Sequence, residues 1–325
     1  MSIALGLNSL TDIKFGNNQV SSVYLGTNLV WSSYSYILDL YSSAHHAYSL
    51  RKLRSAYGGF CLRVRRTAIT STEVNVSFDS NNTISLNSPI TYASGTATTA
   101  TTLGQFAAIE GYGTADIGVT ANQNIFVVTW YDQSGNDKNP TQGTAGNQPR
   151  LVSSTTADLE RSGGKVAVRF VRASNTRLTI ADTTANISNM SSYVVSAFLT
   201  TGTTQNVYAL SATNRFYLPT IIGGAIYAGY AGDASSILLN TLTLDRKLYE
   251  LLAPAPGSVS TIEAWSNGVS KGTAALSSGA ISNIWLGHAV SLNHYDGHIQ
   301  EIIGWQSNTN RLEKETNINS YWTIY

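Results

Sequence analysis

Residues 47–66 read AYSLRKLRSAYGGFCLRVRR, and residues 130–137 read WYDQSGND. The spacing of apolar residues at the start of the longer stretch predicts a short helix over 47–57 with one apolar face. That face carries Leu50, Leu53 and Tyr57, at positions i, i+3 and i+7. A Gly-Gly pair follows, which is a common helix ending, and the alternation over 60–65 then predicts a half-buried strand.

The rest of the chain consists mainly of short alternating runs between clusters of Gly, Asn and Ser. The run at 125–131 predicts a central buried strand, and 261–271 predicts a hairpin with an Asn-Gly turn. Two short helices are predicted, over 102–110 and over 310–325. The inner face of the second helix is predicted to carry Leu312, Thr316, Ile318, Tyr321 and Trp322. The pattern predicts an all-β fold: an antiparallel jelly-roll or concanavalin-like β-sandwich with a small N-terminal β unit and a short C-terminal helix.

Residues 1–33 are predicted to form that separate N-terminal unit, ahead of a sandwich over 34–325. Short strand-like runs alternate there with Gly and Asn, which tolerate the positive φ of tight hairpins. The stretch VSSVYLGTNLVW at 20–31 resembles a short motif of many phage structural proteins, although any glycine-turned β-meander would give a similar pattern. The resemblance implies a virion attachment unit, carried by Val23, Tyr24, Leu25, Leu29, Val30 and Trp31.

The composition argues against a nucleic-acid-binding, disulfide-bonded, membrane-spanning or exported protein. Only 12% of the 325 residues are charged and the formal net charge is +1, so no basic face for nucleic acid is expected. The cations concentrated in 51–66 lie inside periodic elements and are interpreted as structural. The single cysteine, Cys61, allows no internal disulfide and is predicted to be a buried thiol. No apolar run is long enough to span a membrane, and the N-terminus lacks a secretory pattern, so we expect synthesis in a cytosol without export.

The stretches 47–66 and 130–137 resemble the core of the fungal-type α-L-arabinofuranosidase B catalytic domain, a β-sandwich glycoside hydrolase. The likeness runs from Tyr41 to about Val152 and continues beyond that point as architecture only. A retaining glycosidase needs two carboxyl groups about 5–5.5 Å apart, one as nucleophile and one as acid/base. The resemblance implies a Glu nucleophile in the middle of the sandwich. It also implies an acidic Asp in a Gly-Gly-Asp-Asn turn before the last strand.

Neither carboxylate occurs where the resemblance places it. Ser291 occupies the approximate position of the acid, and the nearest acidic residue is Asp296. The acids between the strand at 192–199 and the strand near 261 are Asp233, Asp245 and Glu250. None of the three stands in the Met-Glu-Asn context of the family, and the family's adjacent cysteine pair is missing too. The chain therefore resembles the family in its scaffold but lacks the two catalytic carboxylates at the implied positions. We expect that it is not a glycosidase.

Two clusters of aromatic and polar residues are candidates for sugar binding. Sugars stack their C–H faces on Tyr or Trp, while polar side chains hold their hydroxyls. The first cluster is Tyr217, Tyr227, Tyr230 and Asp233, and the second is His288, His294, Tyr295 and Asp296. Loops of a sandwich could bring the two clusters together as a glycan-binding site. The alternative is that most of these aromatic residues belong to the core or to a subunit interface.

Metal and cofactor signals are weak. Asp132, Asn136 and Asp137 could supply oxygen ligands to a calcium ion. Such side chains also cap their own turns, and turn capping is the preferred interpretation. His45 and His46 are adjacent, with no third ligand spaced nearby, so no metal is expected there. There is no nucleophile-elbow motif, no P-loop and no dinucleotide fingerprint, and no cofactor is expected.

Together these features predict a phage virion protein, namely a tail fibre, baseplate appendage or capsid decoration. Its sandwich would attach to host-surface glycans without catalysis. We expect it to be made in the host cytoplasm, to contact other virion proteins and to form a homo-oligomer, with a trimer as the expected form. Neither nucleic acid nor membrane is an expected partner. Two alternatives stay open: an active polysaccharide-degrading glycosidase, and a purely structural virion protein.

Overall fold

A computed structural model describes most of the chain from residue 36 onward, together with the backbone of four short strands before it. The described ranges are 36–67, 72–95, 98–108, 122–182, 189–201, 203–210, 216–230, 236–241, 243–253, 261–275, 282–289 and 293–325. The helices are α1 (Ile37–Leu40), α2 (Leu103–Ala107) and α3 (Arg311–Trp322). The strands are β1 (Lys14–Phe15), β2 (Asn18–Gln19), β3 (Ser22–Leu25), β4 (Asn28–Ser32), β5 (Ala44–Ser49), β6 (Leu62–Arg66), β7 (Glu73–Val76), β8 (Ile90–Ser94), β9 (Ile125–Trp130), β10 (Arg150–Ser153), β11 (Asp158–Leu159), β12 (Arg161–Ser162), β13 (Lys165–Val166), β14 (Val168–Phe170), β15 (Leu178–Ala181), β16 (Ser191–Phe198), β17 (Gln205–Asn206), β18 (Tyr208–Leu210), β19 (Phe216–Ile222), β20 (Ala225–Tyr230), β21 (Ser236–Thr241), β22 (Lys247–Leu252), β23 (Thr261–Ser266), β24 (Val269–Ala275), β25 (Asn283–Leu286) and β26 (Gly297–Trp305).

Two antiparallel sheets form a sandwich. The larger sheet has the strand order β24-β23-β22-β16-β26-β14-β10-β9-β6-β7-β8, with β5 also paired to β26 and β11 to β10. The smaller sheet has the order β15-β25-β18-β19-β20-β21, with β17 paired to β19. One continuous hydrophobic core draws residues from both sheets. The predicted all-β antiparallel sandwich is confirmed.

Strands β16 and β26 are buried along their whole length because both of their faces are covered. Side chains alternate between the two faces of a strand. Val194 and Ile302 face the smaller sheet and join the core. Tyr193 and Trp305 face the other way, with their rings 5.4 Å apart at 89°, and helix α3 packs on that outer face.

The helix predicted over 47–57 is wrong. Its first residues belong to strand β5, which pairs with β26, and the chain then continues to residue 60 without a helical turn. The backbone of this segment is bonded by Gln133 instead. The Gln133 Oε1 accepts from the N–H of Leu53 at 2.8 Å, and its Nε2 donates to the carbonyls of Ser49 and Arg51 at 3.0 Å each. Long-range bonding overrides the local helical spacing, as it often does for weak propensities.

Helix α3 confirms the predicted C-terminal helix, and Ile318, Tyr321 and Trp322 of its predicted inner face pack on the core, but Leu312 and Thr316 do not. The helix buries Lys314, Glu315, Ile318 and Trp322, whereas Leu312 is 60% exposed. Thr316 is exposed as well. Long charged side chains reach the sheet because their stems pack on aromatic rings while their charged ends find partners. An example is Lys314, whose Nζ lies 4.4 Å from the ring centroid of Trp305.

A buried ion pair joins the opening stretch to the centre of the larger sheet. Arg51 Nε and Nη2 donate to the two carboxylate oxygens of Glu301 at 2.8 and 2.9 Å. Ser49 Oγ donates to the same carboxylate at 2.6 Å, and Arg51 Nη1 donates to Asn317 of α3 at 3.0 Å. This geometry supports the structural interpretation of the cations in 51–66. Cys61 is a buried free thiol, as predicted.

Other local predictions are confirmed. Helix α2 lies within 102–110, and Thr102 caps its N-terminus through a bond from the N–H of Gln105. Strand β9 occupies the apolar run at 125–131. The β23–β24 hairpin turns through Asn267 and Gly268, whose φ values of 51° and 72° suit an Asn-Gly turn.

The predicted N-terminal unit contains two short antiparallel hairpins, β1–β2 and β3–β4. The six predicted attachment residues lie on β3 and β4, where Val23 pairs with Trp31 and Tyr24 with Leu29. The side chains of this unit lie outside the described residues, so its boundary at residue 33 and its role stay predictions. Within the described chain, no helix has both the length and the apolar character that a membrane crossing requires.

Candidate functional site

The two predicted sugar-binding clusters meet in part on the outer face of the smaller sheet. Tyr217 and Trp285 alternate with core residues along β19 and β25, so both side chains point away from the core. They share a small apolar cluster with Ala209, which pairs with both across β18. His288 lies 5.7 Å from the Trp285 ring and stacks on His294 at 5.8 Å and 21°. We call Tyr217, Trp285, His288 and His294 the imidazole patch.

The imidazole patch is largely covered. Tyr217 is 1% exposed, Trp285 9% and His294 7%, which leaves little ring surface for a sugar to stack on. Burial lowers the pKa of His288 to about 4 and also lowers that of His294, so both rings are neutral at pH 7. Arg177 contributes positive charge that acts in the same direction on both rings. The patch as a glycan surface stays a prediction.

The other predicted residues are placed separately. Tyr295 is fully buried and its hydroxyl donates to the carbonyls of Ala197 and His298, so it belongs to the core. Asp296 accepts from Arg169 Nη2 at 2.6 Å, an ion pair beside the start of β26. Tyr295 therefore follows the alternative of a core aromatic residue, and Asp296 forms a structural ion pair.

Three predicted residues lie on or next to β20. Tyr227 alternates with the core residues Ile226 and Ala228, so its partly exposed ring lies on the outer face of the smaller sheet. Tyr230 ends β20, and its side chain lies outside the described residues. Asp233 and Ser291 also lie outside them. Of the predicted tyrosines, Tyr227 is therefore the one with a described, accessible ring.

One buried pair of carboxyl groups in the described chain, Glu250 and Glu315, shares a guanidinium. Burial, and secondly the nearby Glu315, raise the pKa of Glu250 to about 8. Arg311 Nη1 bridges the two, at 2.8 Å from Glu250 Oε2 and 2.5 Å from Glu315 Oε2. However, Glu250 is completely buried on β22 under the start of α3. The pair anchors the helix and is closed to a sugar.

The turn at 130–137 uses its polar side chains for its own structure. Asp132 Oδ1 accepts from the N–H groups of Ala47 and Ser134, and Oδ2 accepts from Ser134 Oγ and the N–H of Lys138. Asn136 Nδ2 donates to two carbonyls at the start of β5. These bonds support turn capping over calcium binding. No cluster of three or more His, Cys, Asp or Glu side chains with metal-binding geometry occurs among the residues that the structure describes.

An open groove of about 820 Å³ lies on the outer side of the larger sheet, at the end of α3. We call it the α3 groove. Three segments that are distant in sequence line it: the β7–β8 loop at 79–87, the β10–β13 region at 156–166, and Tyr321 with Trp322. The lining residues Ile84, Leu159 and Val166 are buried beneath it and present little surface, so most of its accessible lining is polar.

The walls of the α3 groove are polar. Asn81 and Asn87 are exposed on one wall, and Arg161 pairs with Asp158 at 3.1 Å on the other. Asp79 accepts from backbone N–H groups of its own loop, so it shapes the wall. A polar lining of this kind suits a ligand that is rich in hydroxyl groups more than an apolar small molecule. None of its three segments carries a binding motif, so the sequence gives no signal for this groove.

Solved structures with a similar fold include two GH54 α-L-arabinofuranosidase structures. The first is a point mutant of a GH54 α-L-arabinofuranosidase soaked with 4-nitrophenyl α-L-arabinofuranoside, with a TM-score of 0.52 and 15% identity. The second is a GH54 α-L-arabinofuranosidase soaked with a cyclic sulfate inhibitor, with a TM-score of 0.52 and 14% identity. In both cases the match covers 89% of this chain and 65% of the other. The chain shares their β-sandwich fold.

A weaker likeness, with a TM-score of 0.40 and 10% identity, is to a Trypanosoma rangeli sialidase in complex with the inhibitor DANA; it covers 60% of this chain and 30% of that chain. No family model matches the chain, and no curated protein matches it. The similarity to the GH54 enzymes extends the resemblance seen in the sequence, but at this identity it is one of fold. Because the chain spans less than two thirds of those enzymes, their activity does not transfer with it.

Proposed function

We propose that the chain is a glycan-binding β-sandwich without catalytic activity and that the α3 groove holds the sugar. The observation that carries the proposal is the groove itself, whose accessible lining is mostly polar and includes exposed amides and paired charges. The hydroxyl groups of a sugar match such a lining. The amide side chains of Asn81 and Asn87 are exposed on its wall, where they are free to meet sugar hydroxyls.

The absence of catalysis rests on the carboxyl groups of the described residues. Glycoside hydrolysis needs two of them facing one open cleft. The Glu250–Glu315 pair is covered by α3, and the acids of the α3 groove are engaged, Asp79 in its own loop and Asp158 with Arg161. Binding without cleavage is therefore the function that this geometry supports best.

We further propose that the sandwich is displayed on a phage particle, as a tail fibre, baseplate appendage or capsid decoration. This part is supported by the motif-like stretch over 20–31, which folds into the β3–β4 hairpin. Many copies on one particle, for example as trimers, would convert weak single-site binding into firm attachment. One image of the assembled particle, showing position and symmetry, tests the placement.

Binding itself is tested with the purified chain on an array of neutral and acidic bacterial surface oligosaccharides. We expect retention of at least one glycan and its loss in the double variant Asn81→Ala, Asn87→Ala. The matched control is Tyr227→Ala on the opposite sheet, which should leave binding unchanged. Loss in the control alone would move the site to the smaller sheet. No retention of any glycan would favour a purely structural protein, and release of reducing sugar from host polysaccharide would favour a glycosidase.

A further inference from the structure

Lys165 is a cation of the α3 groove that forms no ion pair with a described residue. Its side chain lines the groove, and its Nζ lies 4.7 Å from the ring centroid of Tyr321. The other cations nearby are engaged. Arg161 is paired with Asp158, and Arg51 is paired with Glu301 while its Cζ lies 4.6 Å from the same tyrosine ring.

A second positive charge, that of Arg246, acts on the ammonium of Lys165. Arg246 donates to the backbone carbonyls of Ser162, Trp322 and Thr323 at 2.7 to 3.0 Å, and its charge is not met by a carboxylate in the described chain. Backbone carbonyls satisfy its N–H groups but leave the net charge in place. Arg246 and Arg51 both lower the pKa of Lys165, after the larger effect of burial, so the ammonium lies in a positive local potential.

We propose that Lys165 is an anion-binding residue of the α3 groove and that the groove selects oligosaccharides that carry carboxylates. The inference rests on the proposed function, because it names the class of glycan for the same groove. An incoming carboxylate would meet an ammonium that is already partly desolvated, so the new pair would be screened less than one on an open surface. The sugar would lie along the polar lining of the groove, and Asn81 and Asn87 would meet its hydroxyls.

The test compares tetragalacturonate with its full methyl ester, which has the same sugar backbone without the charge, by isothermal titration calorimetry. For the native chain we expect the acid to bind about tenfold more tightly than the ester, and this ratio to shrink at high salt. Lys165→Gln should bring the ratio close to one, and Lys165→Arg should keep it. Lys271→Gln, on strand β24, is the matched control and should behave like the native chain.

A second readout covers the case in which a variant folds poorly. The pKa of Lys165, followed by NMR in the native protein, should rise when tetragalacturonate is added, because a bound carboxylate favours the charged ammonium. Sodium sulfate alone should not reproduce the rise at the same concentration, which separates a glycan site from a general anion site.

The proposal is overturned if the native chain binds the acid and the ester about equally tightly, or if Lys165→Gln still prefers the acid. It is also overturned if the pKa of Lys165 does not respond to the acid. In those cases the ester can still bind and the proposed function stands. Failure of the proposed function looks different, because neither oligosaccharide would then bind and no glycan would be retained on the array.

Discussion

Substitution of Gln133 is the most direct test of how residues 130–137 stabilise residues 47–66. It is 1% exposed, and its amide bonds to three backbone groups of residues 49–53. In Gln133→Met the side chain keeps its length but bonds to none of them. The Ser49 carbonyl retains the thiol of Cys61 at 3.3 Å, whereas the N–H of Leu53 and the carbonyl of Arg51 lose this partner.

The magnitude follows from those two groups. Each buried backbone group left without a partner costs about 1–3 kcal/mol, so the free energy of unfolding should fall by roughly 2–6 kcal/mol. Urea denaturation followed by tryptophan fluorescence measures the change, with Gln105→Met as the matched control. Gln105 bonds to Thr101 at an exposed site, where the loss should be about 0.5–1 kcal/mol. A loss below about 1 kcal/mol in Gln133→Met, or one equal to the control, would refute the bonding role that we assign to this amide.

Three further predictions address other parts of the scaffold. Arg51→Met leaves the buried carboxylate of Glu301 without its cation and should lower the free energy of unfolding by about 3–5 kcal/mol, measured by urea denaturation; the double variant with Glu301→Gln should recover part of the loss. Burial lowers the pKa of His45 to about 4, so the unfolded chain takes up the proton first and stability should fall as pH drops from about 6.5 to 4. His45→Gln should flatten that fall in denaturation midpoints taken across the window. Gly287→Ala places a methyl group at a φ of +79° and against an aromatic ring, so it should lower the melting temperature by several degrees, whereas Gly143→Ala, with open space around it, should not.

The sequence predicted the parts of the fold that depend on local pattern. The apolar run at 125–131 and the Asn-Gly turn at 267 each encode their structure within a few residues, and both are observed. The segment 47–57 shows the limit of that reasoning. Its helical spacing is real, but its backbone partners come from Gln133 and from strand β26, and neither is visible in a local window.

The site shows the same limit more strongly. Tyr217 and His288 belong to two separate clusters in the sequence, and the structure brings them to one face, through Trp285. It also buries most of that face, which no composition reveals. The α3 groove requires three segments separated by dozens of residues to meet at the end of one helix. Each segment alone resembles an ordinary polar turn.

The two stretches that carried the resemblance to a glycosidase contact each other. Asp132, Gln133 and Asn136 supply the hydrogen bonds that a neighbouring strand would give to the free edge of β5. Such a turn needs nearly all of its side chains for these hydrogen bonds. The edge of the strand depends on the turn in return. Both stretches therefore serve to complete the sandwich. A cleavage site depends instead on carboxyl groups in loops, which these hydrogen bonds do not position. At 14–15% identity the likeness is one of fold, so activity has to be assayed separately from fold.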